Sequence, residues 1–146
     1  MQKYYDFLDK IGTKQIPHDT RTLYDHLVGV QQLLAKHNRP EHEQVAGLFH
    51  AIYGTEFFSL KGKLNLSRET VIKNIGEQAE EIVWEYSQEN ARPFGILGGL
   101  AYDEPLKTSL RWLDYINGLE QHTDEEDIVF RNVMHLYEIL LELELI

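Results

Sequence analysis

This sequence predicts an all-α domain of six or seven helices, and three observations carry that prediction. Apolar residues recur at helical spacing along nearly the whole chain, as in Leu23, Leu27, Val30, Leu33 and Leu34, which share one face of a 3.6-residue turn. No run alternates with period two for long enough to suggest a sheet. Glycine, proline and capping residues break the pattern at intervals suited to short helices.

The first helix covers about Lys3 to Ile11. A second runs from about Asp19 or Thr20 to His37 and ends at Asn38-Arg39-Pro40, because proline disfavours helix in the residue before it. A third starts near Glu41, where early carboxylates suit the helix dipole, and stops at Gly54. Thr55 to Leu66 is a loop carrying Lys61, Gly62 and Lys63. Ser67 caps a short helix in the stretch SRET, Gly76 interrupts it, and another helix carries Glu77 to about Ser87. Ala91 to Pro105, ARPFGILGGLAYDEP, is the most irregular segment; its glycines suit either a lid or an inert connection. Two long helices, about Glu104 to Gln121 and Glu125 to Leu145, close the chain. The last one presents Leu136, Ile139, Leu140, Leu143 and Leu145 as a broad apolar surface. That surface suits core packing or docking on a second copy, so a homodimer is the oligomeric expectation.

At 146 residues with no linker-like tract, the chain reads as one domain over 1–146, long enough to bury a sizeable core. A hydrophobic fraction of 42% and a net charge of −10 describe a globular protein without the clustered cations that nucleic acid requires. The absence of cysteine excludes disulfides, thiolate nucleophiles and thiolate metal sites. The N-terminus lacks an apolar signal core, and no stretch approaches 18 uncharged apolar residues. No membrane partner is expected, and a cytoplasmic location is.

The stretch AGLFHAIYGTE, Ala46 to Glu56, sets His50 inside an apolar segment. His26 lies on the preceding helix, also among apolar neighbours. His26 stands about 12 residues before the intervening turn and His50 about 11 after it, so an antiparallel helix pair brings the two imidazoles together. One buried histidine is usually a hydrogen-bonded core residue. Two that converge also suit a divalent ion such as iron, manganese or zinc.

His26 and, 24 residues on, His50 within LFHAI resemble the HD superfamily of metal-dependent phosphohydrolases, whose pattern is His, then His-Asp, then a distant Asp. IGEQAEEIV, Ile75 to Val83, is similar to the segment after the His-Asp helix in the hydrolase domain of alarmone synthetase/hydrolases. RWLDYINGLEQ, Arg111 to Gln121, falls where the last acidic ligand belongs. LYDHL, AGLFHAIYGTE and IGEQAE also resemble a family of small HD-like proteins of unassigned function. The resemblance spans about Pro17 to Gln121 and implies a helical HD-like domain around a metal centre.

The pattern departs at two places. Ala51 stands where the family has the Asp after its second His, and Asn117 where it has the last Asp. Asp114, one turn before Asn117, is the nearest substitute. His18, about two helical turns before His26, adds a third imidazole. HD-superfamily oxygenases recruit extra histidines and carboxylates, so the resemblance accommodates a shifted set. A metal centre of His18, His26 and His50 with Glu56 or Asp114 would give three nitrogens and an oxygen for iron or zinc. Tyr53, one turn after His50, would supply a proton or hydrogen bond. Arg21, Arg92 and Asn117 are the candidates for holding a polar or anionic substrate.

The expectation is a metal-dependent enzyme that hydrolyses or oxidises a small molecule. The alternative is an HD scaffold that has lost its metal with Ala51 and Asn117 and serves as a ligand-binding or interaction module.

Overall fold

The computed structural model describes residues 1–53, 66–88, 104–121 and 128–144. Among the described residues there are seven α-helices: α1 (Gln2–Lys10), α2 (Leu23–Lys36), α3 (Glu41–Phe49), α4 (Arg68–Ile75), α5 (Glu77–Ser87), α6 (Glu104–Gln121) and α7 (Ile128–Glu142). The all-α expectation holds.

One small element was not foreseen. Pro17–His18 (β1) and Arg21–Thr22 (β2) form a two-stranded antiparallel ribbon with His18 opposite Arg21. Asp19 makes its turn with φ 54°, a left-handed conformation that aspartate tolerates better than most residues. The ribbon delays the second helix from Asp19 or Thr20 to Leu23. There Thr22 and Asp25 close a capping box: the Asp25 amide donates to Thr22 Oγ1 at 3.1 Å, and the Thr22 amide to Asp25 Oδ2 at 3.2 Å. Two of the orphan amides at the helix start are thereby satisfied. Ser67 caps α4 as predicted, accepting from the Thr70 amide at 3.2 Å. Gly76, at φ 90°, makes the break between α4 and α5.

The α3 helix is the centre of the molecule. Glu43 and Val45 to Phe49 are all buried, and α1, α2, α5 and α6 pack against it. It runs antiparallel to α2: a Cβ at Gly47 would meet Leu34 Cδ1 at 2.7 Å and Val30 Cγ1 at 3.1 Å, while His50 meets His26 nearer the other end. The core joins Leu23, Leu27, Val30 and Leu34 of α2 with Val45, Leu48 and Phe49 of α3, Ile82, Val83 and Tyr86 of α5, and Leu110, Leu113 and Ile116 of α6. The α7 helix packs on α6 and buries Leu141, but Val133, Leu136, Ile139 and Leu143 remain exposed. Among the described residues no helix is long and apolar enough to cross a membrane.

Candidate functional site

The predicted convergence of histidines is present. His26, on the inner face of α2, is 1% exposed, and His50, at the C-terminal cap of α3, is 2% exposed. Their ring centroids lie 5.3 Å apart, edge to face. The ribbon brings in the third imidazole: His18 stacks on His26 at 4.5 Å with an interplanar angle of 22°. His50 also meets the Tyr86 ring edge-on at 5.6 Å, so the group is continuous from β1 to α5.

What holds His26 in place is a carboxylate that the sequence did not single out. Glu120, near the end of α6, accepts from His26 Nδ1 at 2.8 Å. Arg21, entering from β2, grips the same carboxylate in a fork, with Nη1 donating to Oε2 at 2.9 Å and Nη2 to Oε1 at 2.5 Å. Burial opposes charge on Glu120, but the hydrogen bonds and charges of His26 and Arg21 outweigh it and hold its carboxyl down at about 2. Burial, and then proximity to His26, lower the His18 imidazole below its ordinary value.

The other ring nitrogen of His26 faces Asn117 Oδ1 at 2.8 Å, and Asn117 Nδ2 donates to the Tyr86 hydroxyl at 3.1 Å. Two arrangements satisfy these contacts: the ring donates from both nitrogens, or the amide turns over and donates to Nε2. In either, both nitrogens of His26 are engaged. His50 Nδ1 donates to the Gly47 carbonyl at 2.8 Å. The α2 backbone passes so close to Glu120 that a Cβ at Gly29 would meet Oε2 at 2.6 Å.

A family model described as a domain of unknown function (DUF6817) matches residues 7–90, which is more than half of the chain. The chain belongs to this family. No curated protein and no solved structure matches it. The DUF6817 segment carries His18, Arg21, His26, His50 and Tyr53, whereas Asn117 and Glu120 lie beyond its end.

The remaining sequence candidates divide. Arg21 reaches the site, but its guanidinium is committed to Glu120. Asn117 is a buried partner of His26. Asp114 faces the neighbouring hydroxyls, accepting from Tyr86 at 3.4 Å and Tyr137 at 3.5 Å. Tyr53 points its hydroxyl into a second buried cluster, donating to Glu80 at 3.2 Å. Arg68 clamps that same Glu80 through Nε at 2.6 Å and Nη2 at 3.1 Å, and lies over the Trp84 ring. Burial and the Glu80 charge push the Tyr53 phenol well up, which disfavours its phenolate. Glu56 and Arg92 lie outside the described residues.

The donors can be weighed against the divalent metal that the HD resemblance implies. Around His26 stand two further imidazoles and an amide, and the adjacent carboxylate, Glu120, is already held by Arg21 and His26. A hard dication draws most of its affinity from carboxylate charge. Among the described residues this set fits such an ion poorly.

Proposed function

We propose that the chain is a catalytically degenerate HD-like module that binds a polar or anionic small molecule, its histidine centre held by hydrogen bonds in place of a metal ion. The observation supporting this is the engagement of both His26 nitrogens, each at 2.8 Å, by Glu120 and Asn117. An amide where the HD superfamily, by the resemblance, has its last Asp exchanges a charged ligand for a neutral hydrogen-bonding group. That exchange stabilises the histidine centre without an ion. The rim suits a polar ligand: the Arg21 side chain is 41% exposed, and Gln121 Nε2 lies 3.4 Å from His18 Nε2. The setting we propose is cytoplasmic. A homodimer through the exposed apolar residues of α7 belongs to the same reading.

A second reading, a metal-dependent hydrolase or iron-dependent oxygenase, is favoured by one feature: three imidazoles share one buried cluster. Metal analysis separates the two. The protein is loaded with iron(II), manganese or zinc, freed of excess ion and assayed by mass spectrometry beside His50→Gln. The first reading expects no metal that depends on His50. A stoichiometric ion lost in the variant would establish the second. The ligand claim is tested by thermal denaturation against small phosphates and carboxylates. A rise in Tm for one class that disappears in His18→Ala supports it, and no rise across the panel overturns it.

A further inference from the structure

A separate group of potential ligands lies where the last helix crosses the end of α2. His37, the C-terminal cap of α2, places Nε2 3.3 Å from Glu138 Oε1 on α7. Glu142 stands one turn further along α7, and one ligand atom from each of these three residues lies within 4.8 Å of the other two.

The surroundings fix the chemistry of the group. His37 Nδ1 donates to the Leu33 carbonyl at 2.9 Å, so in the neutral ring the Nε2 lone pair is directed at the carboxylate. A lone pair and a carboxylate oxygen at that distance repel unless something positive lies between them. Glu138 and Glu142 add a like-charge pair at i,i+4 on one helix face, itself destabilising. Trp112 and Tyr115 wall the imidazole, with ring centroids 5.5 and 6.1 Å away, and the Tyr115 hydroxyl hydrogen-bonds Glu138. A histidine whose far nitrogen is held by a carbonyl and a carboxylate oriented by a neighbouring hydroxyl form the outer support that metal ligands ordinarily have.

We propose that His37, Glu138 and Glu142 form a zinc site that clamps α7 to the end of α2. One imidazole and two carboxylates give a borderline nitrogen–oxygen set, which suits zinc. The site is independent of the His26 centre and differs from it where it matters: it contains two carboxylates that no arginine neutralises among the contacts described.

The test is titration of the full-length, metal-free protein with zinc chloride near pH 7.5, followed by calorimetry and by mass spectrometry after removal of excess ion. His37→Ala and Glu138→Gln are titrated in parallel, with circular dichroism as the check on folding. A single zinc per chain is expected, with affinity falling at least about tenfold in each variant and the helical signal retained. Cobalt(II) in place of zinc should give visible absorption of a four-coordinate nitrogen–oxygen site, lost in His37→Ala. Absence of zinc binding in the unaltered protein overturns the proposal and leaves His37 as a hydrogen-bonding partner of Glu138. Zinc that survives both replacements overturns it as well, and assigns the ion to other residues.

Discussion

Glu120 keeps its charge inside a helical core because Arg21 and His26 both donate to it. Removing it strands two donors, one of them almost fully buried. Glu120→Gln should therefore cost about 2–3 kcal/mol in urea denaturation at pH 7, and Arg21→Ala less, since that side chain is partly in water. The pH dependence follows from the lowered carboxyl. A group whose folded value lies below its ordinary 4.5 contributes stability above that value and loses it as pH falls toward about 2. The unaltered protein should lose stability between roughly pH 5 and pH 2, and Glu120→Gln should flatten that part of the curve. His18 acts in the same direction at higher pH. Its lowered imidazole favours the neutral ring in the fold, so stability should begin to fall as pH drops through 6.5, and His18→Ala should remove that limb. At this scale the sequence disclosed half of the site. His26 and His50 were legible because a buried histidine interrupts an apolar pattern. Glu120 was not, because a glutamate near the end of a long helix matches every solvated glutamate until its neighbours in space are known. The same holds for Glu80, which Arg68 and Tyr53 hold in the interior.

Helices in this molecule approach one another through glycine. Replacing a helical glycine by alanine ordinarily stabilises by about 1 kcal/mol. Here the outcome should depend on what the new methyl meets. At Gly29 it meets the clamped Glu120 carboxylate at 2.6 Å, and at Gly47 the buried Leu34 at 2.7 Å; both substitutions should destabilise by about 1–3 kcal/mol. At Gly118 the nearest atom is the end of the flexible Met134 side chain at 3.2 Å, so alanine there should be neutral or slightly stabilising. A melting series over the three variants checks the order. The helices themselves were largely legible, since their boundaries are written in Pro40, Ser67 and Gly76. The exceptions are the end of α3, which comes at Phe49 and not at Gly54, and the start of α2. Pairing of Pro17–His18 with Arg21–Thr22 is too short to produce an alternating pattern, yet it moves the helix start by three or four residues and turns His18 back over His26.

As a whole, the molecule leaves Val133, Leu136, Ile139 and Leu143 of α7 in solvent. The proposed homodimer should be visible in sedimentation as a concentration-dependent shift, and Leu136→Glu should abolish it while leaving the melting curve of the monomer intact. The wider organisation follows from the pairing of His26 with residues 91 and 94 positions away. The family match ends at residue 90, before α6, and α6 supplies both groups that satisfy His26. The matched stretch is therefore shorter than what must assemble as a unit of folding. A peptide of residues 1–88 carries all three clustered imidazoles but neither Asn117 nor Glu120, and its large apolar face has nothing to close it. Produced alone it should remain loosely packed and bind hydrophobic dyes. Mixed with a second peptide spanning 104–144 it should regain sharp tertiary signals, the two halves reconstituting across a break in the backbone what neither encodes alone.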